Sequence, residues 1–304
     1  EVRTVELPDG SVVHLNAESS VSFPKNGWND IREVELVGEA FFVVKSQDQL
    51  ERRKRLIASK KANKIGRIKP RAIATGLLVK VCIKGGKVQV LWQKEFREPR
   101  HIAKLPNGQF LLNAVNKVYL IDDLGKVINE YTTPWFAFLH TIELDPSKQR
   151  FLVTSSGYDS IFEFDLESGN QTWSWFAWHN GFNPDEEGYY LAATPELFQQ
   201  YKQEGLKALQ IDPNEYGEAG LLTSRRTAHP NLAVYDVYNK GYIIIGIART
   251  GTLYRVNFKT KEKQAILQLN QMPHGLYPYK GGWIITDTTL GEVVILDKEL
   301  NIEK

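Results

Sequence analysis

The sequence predicts an all-β protein: a six-bladed β-propeller with a small N-terminal β module and a helical insertion in one blade. Three observations lead to this fold class. Short apolar and β-branched runs recur along most of the 304 residues, and a set of landmarks returns in the same order every 39 to 50 residues. Units of this length, each with several short strands, are typical of propeller blades.

The repeat unit is clearest at residues 98–127, where a histidine precedes a short apolar run and two further β-rich runs follow. The core strand of the unit recurs as GQFLLNAVN, QRFLVTSSGYDS, GYIIIGIARTGT and GGWIITDTTLGE. The next strand recurs as KVYLID, SIFEFD, TLYRVN and EVVILD. Five units headed by histidine follow a first run at 67–97, which gives six predicted blades.

The chain is expected to divide into a β module, a basic helix or linker, and the propeller, at 1–45, 46–66 and 67–304. One propeller unit departs from the repeat over residues 194–222. There Thr194 and Pro195 are typical of a helix start, and apolar residues follow at intervals of three to four. We therefore expect this blade to carry the helical insertion.

Composition restricts the classes of partner. The net charge is only +2, yet residues 52–71 contain ten Lys or Arg and no acid. This stretch lacks the aromatic residues that stack on bases, which favours a solvated helix and argues against nucleic acid. No apolar run is long enough to span a bilayer. The one cysteine, Cys82, rules out a thiolate metal cluster. We expect a small-molecule substrate or ligand.

Histidines provide the main functional signal. In a propeller the first strand of each blade lines the channel, so a residue at the head of every such strand forms a ring about the axis. Imidazole binds Zn²⁺, and three histidines with a water form an open catalytic site. Each histidine can equally hydrogen-bond the backbone of a neighbouring blade. The series is His101, His140, His179, His229 and His274.

Arginines near the ring suggest an anionic ligand, because a guanidinium pairs well with sulfate, phosphate or carboxylate. Arg225 and Arg226 lie between the insertion and His229, and we predict that they bind substrate. Arg100 is expected instead to pair with Glu98 at the surface. Carboxylates such as Glu143 and Asp159 show no paired spacing that would mark an acid–base couple.

The N-terminal stretch resembles a known family. VELPDGSVVHLNAESSVSFP followed by REVELVGEAFFVVK is similar to the periplasmic domain of FecR-type anti-sigma regulators. The shared positions include Leu7, Pro8, Asp9 and Gly10. This resemblance implies a periplasmic or extracellular location, and a protein partner bound through the N-terminal module.

Two stretches of the propeller also resemble known families. PHGLYPYKGGWIITDTTLGEVVILD resembles an NHL-type blade, and related amidating lyases hold a catalytic zinc with blade-head histidines. This implies that His140, His229 and His274 bind Zn²⁺ or a similar divalent ion. In that arrangement we expect His101 and His179 to be catalytic acid–base groups, further metal ligands, or residues that hydrogen-bond the ligands. HTIELDPSKQRFLVTSSGYDSIFEFDLESGNQTWSW is similar to arylsulfotransferase-like propellers, where a channel histidine is the nucleophile.

Three functional hypotheses follow. The first is a metal-dependent lyase or hydrolase that acts on a small polar or anionic substrate. The second is metal-free, arylsulfotransferase-like group transfer through a channel histidine. The third is a non-catalytic binding or sensory propeller.

Overall fold

A computed structural model describes residues 3–6, 12–15, 20–22, 35–45, 57, 61, 73–84, 87–270 and 272–302. The described chain is an all-β propeller with few helices, which confirms the predicted fold class. Within these ranges the sheets form five blades, so the predicted count of six is wrong. None of the described helices is both long enough and apolar enough to cross a membrane. The predicted basic helix or linker at 46–66 lies outside the described residues, apart from Ile57 and Lys61.

The first blade belongs to a six-stranded sheet that includes strands from the N-terminal segment. Its strands are β1 (Arg3–Glu6), β2 (Val12–Leu15), β3 (Ser20–Ser22), β4 (Glu35–Lys45), β5 (Thr75–Lys84) and β6 (Lys87–Arg97). The order is β1-β2-β4-β5-β6, and β3 pairs with β4. β4 and β5 pair antiparallel over the eight positions from Gly38 to Lys45. The N-terminal segment therefore shares a sheet with the first strands of the propeller.

The second and third blades are four-stranded antiparallel sheets. The second contains β7 (Ile102–Lys104), β8 (Phe110–Asn113), β9 (Val118–Ile121) and β10 (Val127–Tyr131). The third contains β11 (Leu139–Leu144), β12 (Arg150–Ser155), β13 (Ser160–Asp165) and β14 (Gln171–Phe176). Strands β8 and β12 are the predicted core runs, and all of their apolar side chains are buried. Continuous apolar runs of this length are expected where both faces of a strand are covered.

The unit headed by His179 forms an insertion instead of a blade, which accounts for the missing sixth sheet. After β14 come a 3₁₀ helix (Ala177–Asn180), β15 (Tyr190–Ala192), α1 (Pro195–Gln203) and β16 (Ala208–Gln210). β15 and β16 pair in parallel, which requires the crossover that α1 provides. Helix-forming residues occupy the position of a core strand, and the Thr194 hydroxyl caps α1.

The remainder of the insertion consists of short helical segments. It contains α2 (Pro213–Tyr216) and two 3₁₀ helices (Gly217–Ala219 and Thr223–Arg225). Tyr158 of the third blade is buried beneath it, and its hydroxyl donates to the carbonyl oxygen of Gly217 over 2.8 Å. Gly157 also packs against this region, where its backbone carbonyl accepts from the N–H of Leu221 over 2.9 Å. The insertion is therefore anchored on the third blade.

The last two blades follow the insertion. The fourth contains β17 (Pro230–Tyr235), β18 (Tyr242–Ile247), β19 (Thr252–Asn257) and β20 (Lys263–Gln268). The fifth has three described strands, β21 (Pro273–Tyr279), β22 (Gly282–Asp287) and β23 (Glu292–Leu296). Buried apolar clusters fill each interface from the first blade to the fifth in chain order. The blades therefore pack face to face, which fixes the inner end of each one.

Candidate functional site at the heads of the inner strands

The inner strands bring three histidines together at one end of the propeller. His140 is the second residue of β11, His229 immediately precedes β17, and His274 is the second residue of β21. The ring centroids of His140 and His229 are 5.5 Å apart, and those of His140 and His274 are 6.2 Å apart. Further along the same strands lies a narrow void of about 10 Å³. The three residues predicted as metal ligands are thus neighbours.

Two arginines lie against these histidines. Arg100 places Nη1 at 2.9 Å from Nε2 of His140, and Arg226 places Nη1 at 3.4 Å from Nδ1 of His229. A guanidinium has no lone pair to accept with, so both imidazole nitrogens act as acceptors. The two guanidinium carbons also lie 6.0 and 5.5 Å from the centroid of the Phe138 ring. We call these three histidines and two arginines the histidine–arginine cluster.

His274 is fixed in one tautomer. Its Nδ1 lies 2.9 Å from the carbonyl oxygen of Met272 and 2.8 Å from Oγ1 of Thr288. A carbonyl oxygen only accepts, so Nδ1 carries the proton. In the neutral imidazole the other ring nitrogen, Nε2, holds the lone pair, and it lies 3.0 Å from Nδ2 of Asn231. The lone pair therefore faces the amide of Asn231.

His229 is held in the neutral form. Burial lowers its pKa well below the usual range, and the nearby charges of Arg226, Arg100 and Arg249, together with His274, lower it further. A second cation beside these guanidinium groups would be unfavourable. The cluster therefore carries its positive charge on arginine while this imidazole stays uncharged.

A buried carboxylate fixes the backbone before β17. Asp159 is fully buried, and its Oδ1 accepts from the backbone N–H of His229 over 2.7 Å. Its Oδ2 accepts from the N–H groups of Thr227 at 2.5 Å and Ala228 at 3.2 Å. His229 has a φ of +55°, an uncommon conformation for a residue with a side chain. The three hydrogen bonds stabilise that conformation and so orient the imidazole.

The other predicted site residues lie elsewhere. Nδ1 of His101 accepts from the backbone N–H of Ile142 over 3.2 Å, and its Nε2 lies 3.3 Å from the Tyr277 hydroxyl, further along the inner strands. His179 lies in the 3₁₀ helix after β14, where its Nε2 accepts from the N–H of Ala193 over 3.2 Å. Burial is the main reason that the pKa of His179 falls to about 4.

The two arginines predicted to bind substrate separate. Arg226 is only 2% exposed and joins the cluster, and its Nε donates to the carbonyl of Leu221 over 2.9 Å. Arg225 turns into the insertion, with Nη2 at 2.7 Å from Oε2 of Glu187 and Nη1 at 3.7 Å from Oδ2 of Asp185. Neighbouring positions in the chain thus face different environments.

Arg100 joins the cluster although the sequence suggested only a surface pair with Glu98. That pair exists, with Nη2 at 3.5 Å from Oε2 of Glu98, but the shorter contact is the one to His140, at 2.9 Å. A signal was present in the sequence: Arg100 precedes the buried Ile102 by two residues, as His140 precedes the buried Ile142. Aligning the units on these apolar residues would have placed Arg100 in the ring.

The cluster as arranged suits an anion better than a metal ion. Among the described residues, no three His, Cys, Asp or Glu side chains form a group that could hold a metal. The Nε2 lone pair of His140 is directed at Arg100, and that of His274 at Asn231. Coordination would require both donors to move, and two guanidinium charges would repel the ion. In this arrangement the His140 and His274 donors that were predicted to bind Zn²⁺ or a similar divalent ion are engaged by Arg100 and Asn231.

Comparison with known proteins identifies similar folds only. The chain is similar to the WD40 domain of Neurospora crassa Pan2, with 10% identity, a TM-score of 0.43, and coverage of 76% of this chain and 60% of that one. It is also similar to a chain of a nidogen/laminin complex, with 10% identity, a TM-score of 0.48, and coverage of 100% and 91%. A third similar structure is hydrazine synthase of Kuenenia stuttgartiensis, with 11% identity, a TM-score of 0.37, and coverage of 66% and 49%.

At these identities the similarity concerns the fold alone. The chain spans less than two thirds of the Pan2 and hydrazine synthase chains that it matches. No family model and no curated protein matches the sequence. The FecR-type, NHL-type and arylsulfotransferase-like resemblances therefore receive no support from these comparisons.

Proposed function

We propose that the protein is a metal-free group-transfer enzyme in which His274 accepts a sulfuryl or related anionic group from a small donor. The observation that carries the proposal is the tautomer of His274, which lies next to His140 in the same cluster as two arginines. Nδ1 donates to a backbone carbonyl, and so in the neutral imidazole the lone pair resides on Nε2. A positioned neutral imidazole next to guanidinium groups is suited to attack an anionic electrophile.

The roles of the cluster residues follow from their charges. Arg100 and Arg226 would hold the non-bridging oxygens of the donor's anionic group, and would stabilise the charge that builds up during transfer. Neutral His140 and His229 would form further hydrogen bonds with the donor. They would not compete with His274 as nucleophiles, because their own hydrogen bonds to arginine fix their orientation. Asn231 would release Nε2 of His274 when the donor enters, because one hydrogen bond from a neutral amide is weak compared with the charge-assisted hydrogen bonds that the donor forms with the arginines.

The reaction balances in two steps. In the first, the Nε2 lone pair forms an N–S bond to the sulfur of a sulfate ester while the bridging S–O bond breaks, which leaves the donor alcohol as its oxyanion. In the second, an acceptor hydroxyl attacks the same sulfur, the N–S bond breaks, and the imidazole is regenerated. The proton lost by the acceptor is taken up by the released oxyanion. No metal or redox partner is needed.

The test uses 4-nitrophenyl sulfate as donor and phenol as acceptor. We expect release of 4-nitrophenolate, and an intact protein mass increased by one sulfuryl group when the acceptor is left out. His274→Asn should remove the adduct and lower the rate by at least about a thousandfold, as expected for loss of a nucleophile. His179→Asn is the matched control, because that histidine lies in a separate pocket; it should keep both signals.

Contrary results distinguish the alternatives. An adduct that persists in His274→Asn would contradict the assignment of the nucleophile. Tight sulfate binding without turnover or adduct would favour the non-catalytic binding propeller. A protein partner bound through the N-terminal segment, and a periplasmic or extracellular location, stay predictions.

Metal-dependent lyase or hydrolase chemistry is a second candidate, because the three predicted ligands do lie together at centroid distances of 5.5 and 6.2 Å. Metal binding would require the hydrogen bond between Arg100 and Nε2 of His140 to break, so that this nitrogen can bind the ion. Elemental analysis of protein purified without added metal tests it. Stoichiometric zinc that is lost from His140→Ala would favour this candidate over metal-free transfer.

A further inference from the structure

A second cavity lies further along the inner strands than the histidine–arginine cluster. Its volume is about 320 Å³, enough for a small organic molecule. It is lined mainly by residues of β7 and β11 and by the loop after β7, with Tyr277 of β21 opposite. His101 and Tyr277, whose side chains are in contact, form the wall on the side of β21.

One carboxylate points into this cavity. Glu143 of β11 makes no side-chain hydrogen bond or ion pair with any residue that the structure describes, and it is the one acidic residue in the lining. Burial raises the pKa of its carboxyl group to about 7, while the charge of Lys148 lowers it. A partly buried carboxylate without a partner is costly, and a ligand that brings a cationic donor would remove that cost.

The rest of the lining is partly cationic and partly apolar. Lys104 and Lys148 supply positive charge, and Lys148 is exposed and so can move toward a bound molecule. Most of the remaining wall is apolar. It consists of Ile102, Ala103, Leu105, Pro106, Ile142 and Leu144. The cavity lining therefore combines one carboxylate, two lysines and an apolar surface.

We propose that this cavity binds a zwitterionic α-amino acid with an apolar side chain. Its ammonium group would pair with Glu143, its carboxylate would face Lys148, and its side chain would lie against the apolar wall. An anion alone would face Glu143 without compensation, and an amine alone would bring a second cation near Lys148. The zwitterion satisfies both ends. This inference does not depend on the proposed group transfer.

Calorimetric titration with L-leucine and two analogues separates the contacts made by the ammonium group, the carboxylate and the side chain. The analogues are 3-methylbutylamine, which lacks the carboxylate, and 4-methylpentanoate, which lacks the ammonium group. We expect L-leucine to bind more tightly than either analogue. Glu143→Gln should weaken L-leucine and the amine by at least about tenfold, in line with loss of one charge-assisted hydrogen bond. Lys148→Ala should weaken L-leucine but leave the amine unchanged. Glu167→Gln, at an exposed turn between β13 and β14, is the matched control.

A filling variant checks the location independently of charge. Ala103→Met places a larger side chain in the cavity and should abolish binding, with circular dichroism confirming that the variant is folded. Two results would overturn the inference: no binding heat with L-leucine, L-phenylalanine or L-methionine at millimolar concentration, or L-leucine binding to Glu143→Gln as tightly as to the unmodified protein.

Discussion

The carboxyl group of Glu143 makes the stability of the propeller depend on pH in a direction opposite to that of most acidic residues. Its pKa rises from 4.5 to about 7 on folding, chiefly because of burial. The folded protein therefore holds this proton more readily than the unfolded chain. The stabilisation is complete below about pH 4.5 and is lost as the pH rises through about 7. Above about pH 7 the folded protein is less stable, because the carboxylate of Glu143 is then charged while partly buried.

The substitution Glu143→Gln keeps the shape and removes the titration. A pKa of about 7 in place of 4.5 corresponds to about 3 kcal/mol of unfolding free energy. Because the side chain is partly exposed, screening by water reduces this to about 1 to 3 kcal/mol. We expect the variant to match the unmodified protein near about pH 4.5 and to be more stable by that amount near about pH 8.

Urea unfolding, followed by tryptophan fluorescence at several pH values between these limits, measures the difference. Effects of pH on other groups cancel, because they are present in both proteins. Glu167→Gln is the control for removal of an acidic charge from the surface, and should show no trend. A difference between Glu143→Gln and the unmodified protein that stays constant with pH would refute the reasoning.

Two further predictions concern the framework of the site. Asp159→Ala should lower the unfolding free energy by about 3 to 5 kcal/mol, because it leaves three buried or partly buried backbone N–H groups without an acceptor; a change below about 1 kcal/mol in urea unfolding would contradict this. Gly157→Ala should lower it by about 2 to 3 kcal/mol, because the new Cβ would lie 2.3 Å from that of Ala137. Gly188→Ala, with open space but a φ of +80°, should lose only about 1 kcal/mol, and equal losses in the two variants would contradict the packing argument.

The fold class could be read from the sequence because core strands of a blade are covered on both faces. Runs such as FLLN and IIIGI are apolar for that reason, and they are buried as expected. The blade count failed at His179. A histidine was present at the right distance, but the unit lacked a second apolar run, and Pro195 with the residues after it formed a helix. The unusual spacing of 50 residues before His229 was the warning.

The site was predictable in part for a related reason. His140, His229 and His274 each stand at the head of an inner strand, so repetition alone places them in one ring. Their partners come from tertiary structure. Asn231 reaches His274 from a different blade, and nothing local in the sequence connects the two. The fixed tautomer of His274 likewise depends on where the carbonyl of Met272 points.

The pairing of β4 with β5 limits how the protein can be dissected. Phe41 of β4 packs with its ring centroid 4.9 Å from that of Phe110 in the second blade, and the strand itself covers one edge of β5. Removing the N-terminal segment would leave that edge bare, and an unpaired edge strand recruits other chains. A truncation intended to isolate the propeller would therefore yield a self-associating fragment, and the histidine–arginine cluster is best studied with the N-terminal strands retained.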